Sequence, residues 1–165
     1  MMKRLALLWV IIEMTMTLGF CQTNHDIKID TLSYIKLTDD RGVNYKIIQM
    51  VNLLDNHWVD STRTLVIFYD TNKAILHLPT PDEEVKNFSI KGISNNENGI
   101  TLITSQGGGP CIVQHHFIFV VEYGQLYLNK IISEFGGFGS KESETDIKTF
   151  HPNIRIDEIK LITFL

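Results

Sequence analysis

The segment Gly107-Gly108-Gly109-Pro110-Cys111, followed closely by His115-His116, holds the residue types most able to do chemistry in this chain. A cysteine thiolate with a histidine as its base is the first reading to test. On an extended strand Cys111 and His115 share a face. Four residues at about 3.3 Å each separate them by about 13 Å, well beyond hydrogen-bond reach. His116 faces the opposite way. A base would have to come from His57, His77 or His151, and no spacing brings one of them close. Cys111 therefore reads as a small buried hydrophobe or an inert thiol.

The same geometry weakens a metal site. Neighbouring histidines on a regular strand cannot both ligate one ion, and no zinc-type ligand spacing occurs. Neither a metal nor another cofactor is expected. The three glycines could form an amide nest for an anion, but a phosphate-binding loop needs a lysine and a following helix. Here a proline, a cysteine and a strand follow, so a hairpin loop or bulge is the simpler reading. A second glycine-rich stretch, Gly136 to Ser140, carries Phe138, an aromatic that either enters a partner's cleft or folds back on the core. Trp58, between His57 and Asp60, is either a core edge or an interface anchor. The candidate binding set is thus Gly107, Gly108, Gly109, Trp58, Phe138, His115 and His116. The pairs Asp39-Asp40 and Glu83-Glu84 sit where a turn and a helix start call for acids, not as catalytic dyads. The spacings of GxSxG, HExxH and EF-hand sites are absent from the sequence.

The elements that would carry these residues are mostly strands. Thr31 to Thr38 alternates, Asp39-Asp40-Arg41-Gly42 turns, and Val43 to Leu53 resumes in residues that favour strands. Leu54 to Arg63 reads as a polar connection. Leu65 to Tyr69 is apolar on both faces, as in a strand buried within a sheet. Asp70 to Lys73 turns and Ala74 to Leu78 returns. Thr80-Pro81-Asp82-Glu83 has the form of a capping box, which predicts one short helix near residues 81–87. Phe88 to Ile93 and Ile100 to Ser105 pair about Asn98-Gly99, a strong hairpin signal. Cys111 to Glu122 and Gln125 to Ser133 pair about Tyr123-Gly124, with Leu126, Leu128 and Ile132 on one face. Gly136 to Asp146 reads as a loop, and one or two strands over Ile154–Ile156 and Ile159–Leu165 close the chain. The fold class is mainly β: an antiparallel meander forming a sandwich or a strongly curved sheet.

The chain begins differently. Lys3-Arg4 precedes an apolar run from Leu5 to Ile12, which resumes at Met14 after Glu13 and ends at Phe20. A cationic start, an apolar middle and small residues at Gly19 and Cys21 form the layout of a secretory signal peptide over 1–21. The run is short for a membrane span, and Glu13 near its centre would be costly in lipid. The exit sequence partly resembles a bacterial lipoprotein signal, in which the cysteine is lipidated. That pattern wants Gly, Ala or Ser before the cysteine, and Phe20 stands there, so a lipid anchor at Cys21 is the weaker alternative. The expected organisation is a signal peptide, a polar lead-in over 22–30 and a single β-rich domain over 31–165. Its expected location is the periplasm, the cell envelope or the exterior, with no stable membrane span after cleavage.

The sequence has 165 residues, is 44% apolar and carries a net charge of −4. That composition suits one folded domain and supplies no basic field for nucleic acid. With no catalytic constellation, the leading expectation is an exported binding protein whose partner is another protein. An inhibitor or immunity-type protein is one concrete form. Two alternatives come from other classes. One is a small hydrolase or metal-dependent enzyme using His115 or His116 with distant residues, and the other is a structural envelope component.

Overall fold

Alternating apolar and polar residues put one face of each strand on a core and leave the other to solvent. A computed structural model shows nine strands among the residues it describes, which are 28–79, 85, 87–108, 111–137 and 144–165. They are β1 (Lys28–Thr38), β2 (Asn44–Leu54), β3 (His57–Tyr69), β4 (Asn72–His77) and β5 (Ser89–Asn96). β6 (Gly99–Gly108), β7 (Cys111–Glu122), β8 (Gln125–Gly137) and β9 (Glu144–Arg155) follow. The first four form one antiparallel sheet in chain order and the last five a second, so each sheet is a meander. The fold is a β-sandwich, as the alternation predicts.

A single core lies between the sheets. Tyr45, Ile47, Leu65, Ile67 and Leu76 enter it from the first sheet, and Ile100, Leu102, Phe117, Phe119 and Leu128 from the second. Phe117 and Phe119 have no exposed surface. Removing either side chain costs about 3–5 kcal/mol on the usual scale for buried aromatics. Hydrogen bonds also cross between the two halves of the sandwich: the Leu126 amide donates to the Tyr69 hydroxyl at 3.2 Å, and Arg41 in the β1–β2 turn donates to the Asn98 carbonyl in the β5–β6 turn at 2.8 Å.

Several sequence expectations change. β1 starts at Lys28, inside the segment expected as a polar lead-in. The expected connection from Leu54 to Arg63 is largely strand: Asp55 and Asn56, both with positive φ, close a two-residue hairpin, and β3 begins at His57. A turn of that hand matches strand twist and suits Asp and Asn. The turn before β4 is shorter than expected, because Asn72 and Lys73 already pair with β3. The turn expected at Asn98-Gly99 falls one residue earlier, on Glu97-Asn98. Gly99 serves a different purpose there, since a Cβ on it would overlap the Phe119 carbonyl.

An extra residue, Asn129, interrupts the pairing of β8 with β7 between Lys130 and Leu128. The bulge flips the alternation, so Ile131 rather than Ile132 joins Leu126 and Leu128 in the core. The expected loop over Gly136–Asp146 is shortened at both ends by β8 and β9. Of the two expected closing strands the first forms in part, as the end of β9, and the second does not. Ile154 and Arg155 end β9, while Ile156–Glu158 and Leu161–Phe164 are 3-10 turns that bury Ile156 and Leu161. The helix expected near 81–87 falls mainly on residues outside the described ones; Asn87, which is described, sits in a turn with φ of 54°.

Candidate functional site

The β7 strand is extended from Cys111 to Glu122, so Cys111 and His115 share a face and His116 takes the other. Cys111 is exposed, which overturns the buried-hydrophobe alternative and leaves the other, an inert thiol. His115 is 4% exposed and lies in a cross-strand row with Thr104 on β6 and Ser133 on β8. Its Nδ1 is 2.9 Å from the Ser133 hydroxyl, and its Nε2 is 3.1 Å from the side-chain nitrogen of Gln106. That nitrogen also donates to the Leu165 main-chain oxygen at 2.9 Å.

These contacts fix where the imidazole proton sits. The Leu165 oxygen can only accept, so the Gln106 group facing it is the donor NH2. Its second hydrogen points at His115 Nε2, which must supply a lone pair. The ring proton is therefore on Nδ1 and is donated to Ser133. A hydrolytic Ser–His pair needs the reverse, with the histidine lone pair on the serine proton. Burial, helped by the adjacent His116, pushes the His115 pKa below its ordinary value, so the ring is neutral near pH 7. The cluster ties the C-terminal turn to the second sheet.

A second buried polar cluster lies at the β1–β2 turn. The Asp39 carboxylate accepts four hydrogen bonds. Oδ1 takes the amides of Arg41 and Val43 at 3.0 and 2.9 Å, and Oδ2 takes the Arg41 guanidinium and the Tyr45 hydroxyl at 3.1 and 3.0 Å. Burial pushes this carboxyl upward, but the Val43, Arg41 and Tyr45 donors outweigh it and hold the pKa below its ordinary value. Burial and the same carboxylate raise the Tyr45 pKa. With its acceptor positions occupied, Asp39 cannot serve as a general base without dismantling the turn.

The other sequence candidates are placed as follows. Gly107 has φ of +101°, and a Cβ there would overlap the Cys111 carbonyl, so the backbone itself requires glycine. Gly108 pairs with Cys111 at the end of the hairpin. Gly109 and Phe138 lie outside the described residues. His116 is on the outer face of the second sheet, with Nε2 2.9 Å from the side-chain nitrogen of Gln114 and 3.8 Å from Glu134. His57, His77 and His151 are exposed on β3, β4 and β9. Among the described residues no group of three His, Cys, Asp or Glu side chains is placed to hold a metal ion. None of the described helices is long and apolar enough to cross a membrane.

Trp58 is the candidate the fold presents most openly. The first sheet runs on past the core, and Lys28–Thr31, Asn52–Leu54 and His57–Val59 contribute nothing to the buried cluster. From the fully buried Val51 to Leu54 at the tip is three residues of β2, an arm of about 10 Å. On it Trp58 is 55% exposed, Ile29 61% and Leu54 39%. The Trp58 indole N–H donates to Asp30 Oδ2 at 3.0 Å, which fixes the ring across the β1–β2–β3 ribbon. Register pairs Trp58 with Leu53 and Leu53 with Lys28, so the anchor stands on three strands.

The described residues thus form an antiparallel β-sandwich with two buried polar clusters and a short arm of the first sheet beyond the core. Comparison with protein-family models, curated proteins and solved structures finds nothing that matches this chain.

Proposed function

We propose that this is an exported binding protein, not an enzyme, and that it contacts another protein through the arm around Trp58. The observation that carries this reading is a large aromatic held in place by Asp30 while more than half exposed, on an arm outside the core. Tryptophan is enriched among residues that dominate interface energy. A ring already fixed by a hydrogen bond loses less freedom on binding than a mobile one. Ile29 and Leu54 add exposed apolar surface on the opposite face of the same arm. The wiring of His115 and Asp39 supports the non-catalytic half, because both groups are committed to the fold.

A short three-stranded tip bearing an exposed aromatic suits contact with a cleft, which fits an inhibitor or immunity-type protein acting in the periplasm, the envelope or outside the cell. The address rests on the N-terminal signal pattern. The test is a photo-cross-linking residue placed at position 58 in producing cells, with position 123 as the control. Tyr123 is 98% exposed and lies on a turn of the other sheet. The proposal expects one discrete protein adduct from position 58 and none from position 123. With that partner purified, Trp58→Ala weakens its binding at least tenfold. Equal labelling from both positions, no adduct at all, or unchanged affinity of the variant would each reject it.

A further inference from the structure

The outer face of the first sheet carries two adjoining cross-strand rows. One consists of Tyr34, Ile48, Val66 and Ile75; the other consists of Lys36, Lys46, Phe68 and Lys73. Strand spacing of about 4.8 Å makes each row a line across all four strands. Tyr34 is 48% exposed, Phe68 36% and Ile75 39%, and the three lysines are exposed. The ammonium groups lie over the rings. Lys36 and Lys46 are 5.7 and 5.5 Å from the Tyr34 centroid, and Lys46 and Lys73 are 5.7 and 5.9 Å from that of Phe68.

This arrangement concentrates positive charge on a chain whose net charge is −4. Between Thr38–Asn44 and Met50–Thr64–His77, the outward positions of the paired strands include no Asp or Glu. Asp40 and Asp70 lie in the turns beyond the lysine row. The ring contacts order the lysine stems and hold three cations at fixed places on a flat apolar floor. An open depression of about 460 Å³ lies against Lys36, Leu37, Thr38, Asn44, Tyr45 and Lys46, with room for a carboxylate-bearing side chain.

We infer that this face docks an acidic protein surface, with carboxylates opposite Lys36, Lys46 and Lys73 and apolar side chains over Tyr34, Phe68 and Ile75. Charge complementarity sets the sign of the partner. The adjoining apolar row sets its class, since a protein supplies carboxylates and apolar side chains in alternation. A nucleic acid offers no apolar side chains to cover Ile75, and a lipid headgroup layer presents phosphates without apolar side chains alternating among them. The surface is distinct from the Trp58 arm and stands or falls separately from it.

The test uses purified full chain at low ionic strength and a random copolymer of glutamate and tyrosine as the probe, with amide shifts recorded by NMR. Parallel arms use oligothymidylate and vesicles of equal parts phosphatidylglycerol and phosphatidylcholine. The inference expects the copolymer to shift amides around Lys36, Lys46, Phe68 and Lys73 and to bind more weakly as salt is added. The triple variant Lys36→Glu, Lys46→Glu, Lys73→Glu loses at least tenfold in affinity. Reversal of Lys91, Lys130 and Lys160 leaves it within threefold, as does Trp58→Ala. Thermal melting confirms that each variant is folded, and the single reversal Lys46→Glu replaces the triple if that one is not. No copolymer binding, or binding indifferent to the three lysines, overturns the inference. Tighter binding of vesicles or oligothymidylate through the same lysines overturns the assignment to a protein.

Discussion

Asp39→Ala removes the acceptor for four donors at once, and the structure lets the cost of each be weighed. The Tyr45 hydroxyl is the expensive one. Tyr45 is 1% exposed, so losing its acceptor leaves a buried donor unmet, at about 1–3 kcal/mol. The Arg41 side chain is 39% exposed; it rehydrates and keeps its bond to Asn98, so its share is about 0–1 kcal/mol. The amides of Arg41 and Val43 reach water more readily and together add roughly 1 kcal/mol. The expected loss is about 2–5 kcal/mol, a large part of the stability of an ordinary domain. Asp39→Asn keeps the Oδ1 bonds and lets Tyr45 reverse its hydroxyl, but sets NH2 against the guanidinium, for about 1–2 kcal/mol. Asp40→Asn, at an exposed turn position, should change stability by less than about 0.5 kcal/mol. Urea denaturation with constant m-value measures all three. The same carboxyl has a folded pKa below the unfolded 3.8. The unfolded chain then binds the proton first, so this stabilisation is present above about pH 4 and is lost as pH falls through the folded value. An Asp39→Ala variant within about 1 kcal/mol of wild type, or an unaltered acid transition in Asp39→Asn, would refute the reasoning.

Three further outcomes follow from the same geometry. The folded pKa of His115 is depressed below 6.5, so the unfolded state takes up the proton first and stability falls as pH drops from about 6.5 towards the folded value; His115→Gln flattens that part of a stability–pH curve measured by denaturation. Gly107→Ala costs about 2–3 kcal/mol, from positive φ and overlap with a carbonyl. Gly108→Ala costs less than about 1 kcal/mol, because its only close neighbour is the movable Asn87 side chain; thermal melts compare the two. A fluorophosphonate probe leaves Ser133 unmodified while iodoacetamide alkylates the exposed Cys111 in the folded protein, both read by intact mass.

Much of the sandwich is written locally. β7 has the bounds its alternation predicts, and Tyr123-Gly124 turns where the glycine allows it. The first half of β3 escaped because His57 to Arg63 is polar, and its hairpin depends on Asp55 and Asn56 adopting positive φ. The inward shift from Ile132 to Ile131 follows from one inserted residue, Asn129, which leaves no mark on composition. The C-terminal apolar residues resemble strands, but in the fold they fill the core as 3-10 turns. Spacing along β7 correctly kept Cys111 from His115, and it also kept His116 on the other face. It could not show that Ser133 and Gln106 flank His115, because register brings those residues together from other strands. The lysine rows were hidden for the same reason: Lys36, Lys46 and Lys73 are far apart in sequence, and the net negative charge masks them.

The non-catalytic half of the functional reading rests on the close Ser133–His115 pair being wired to hold the fold and not to activate a nucleophile. Long-range proton–nitrogen NMR of the His115 ring in histidine-labelled protein at pH 7 tests it directly. The account predicts a neutral ring with the proton on Nδ1 and a bare Nε2. A proton on Nε2, with the Nδ1 lone pair facing Ser133, would contradict it and restore the hydrolase reading.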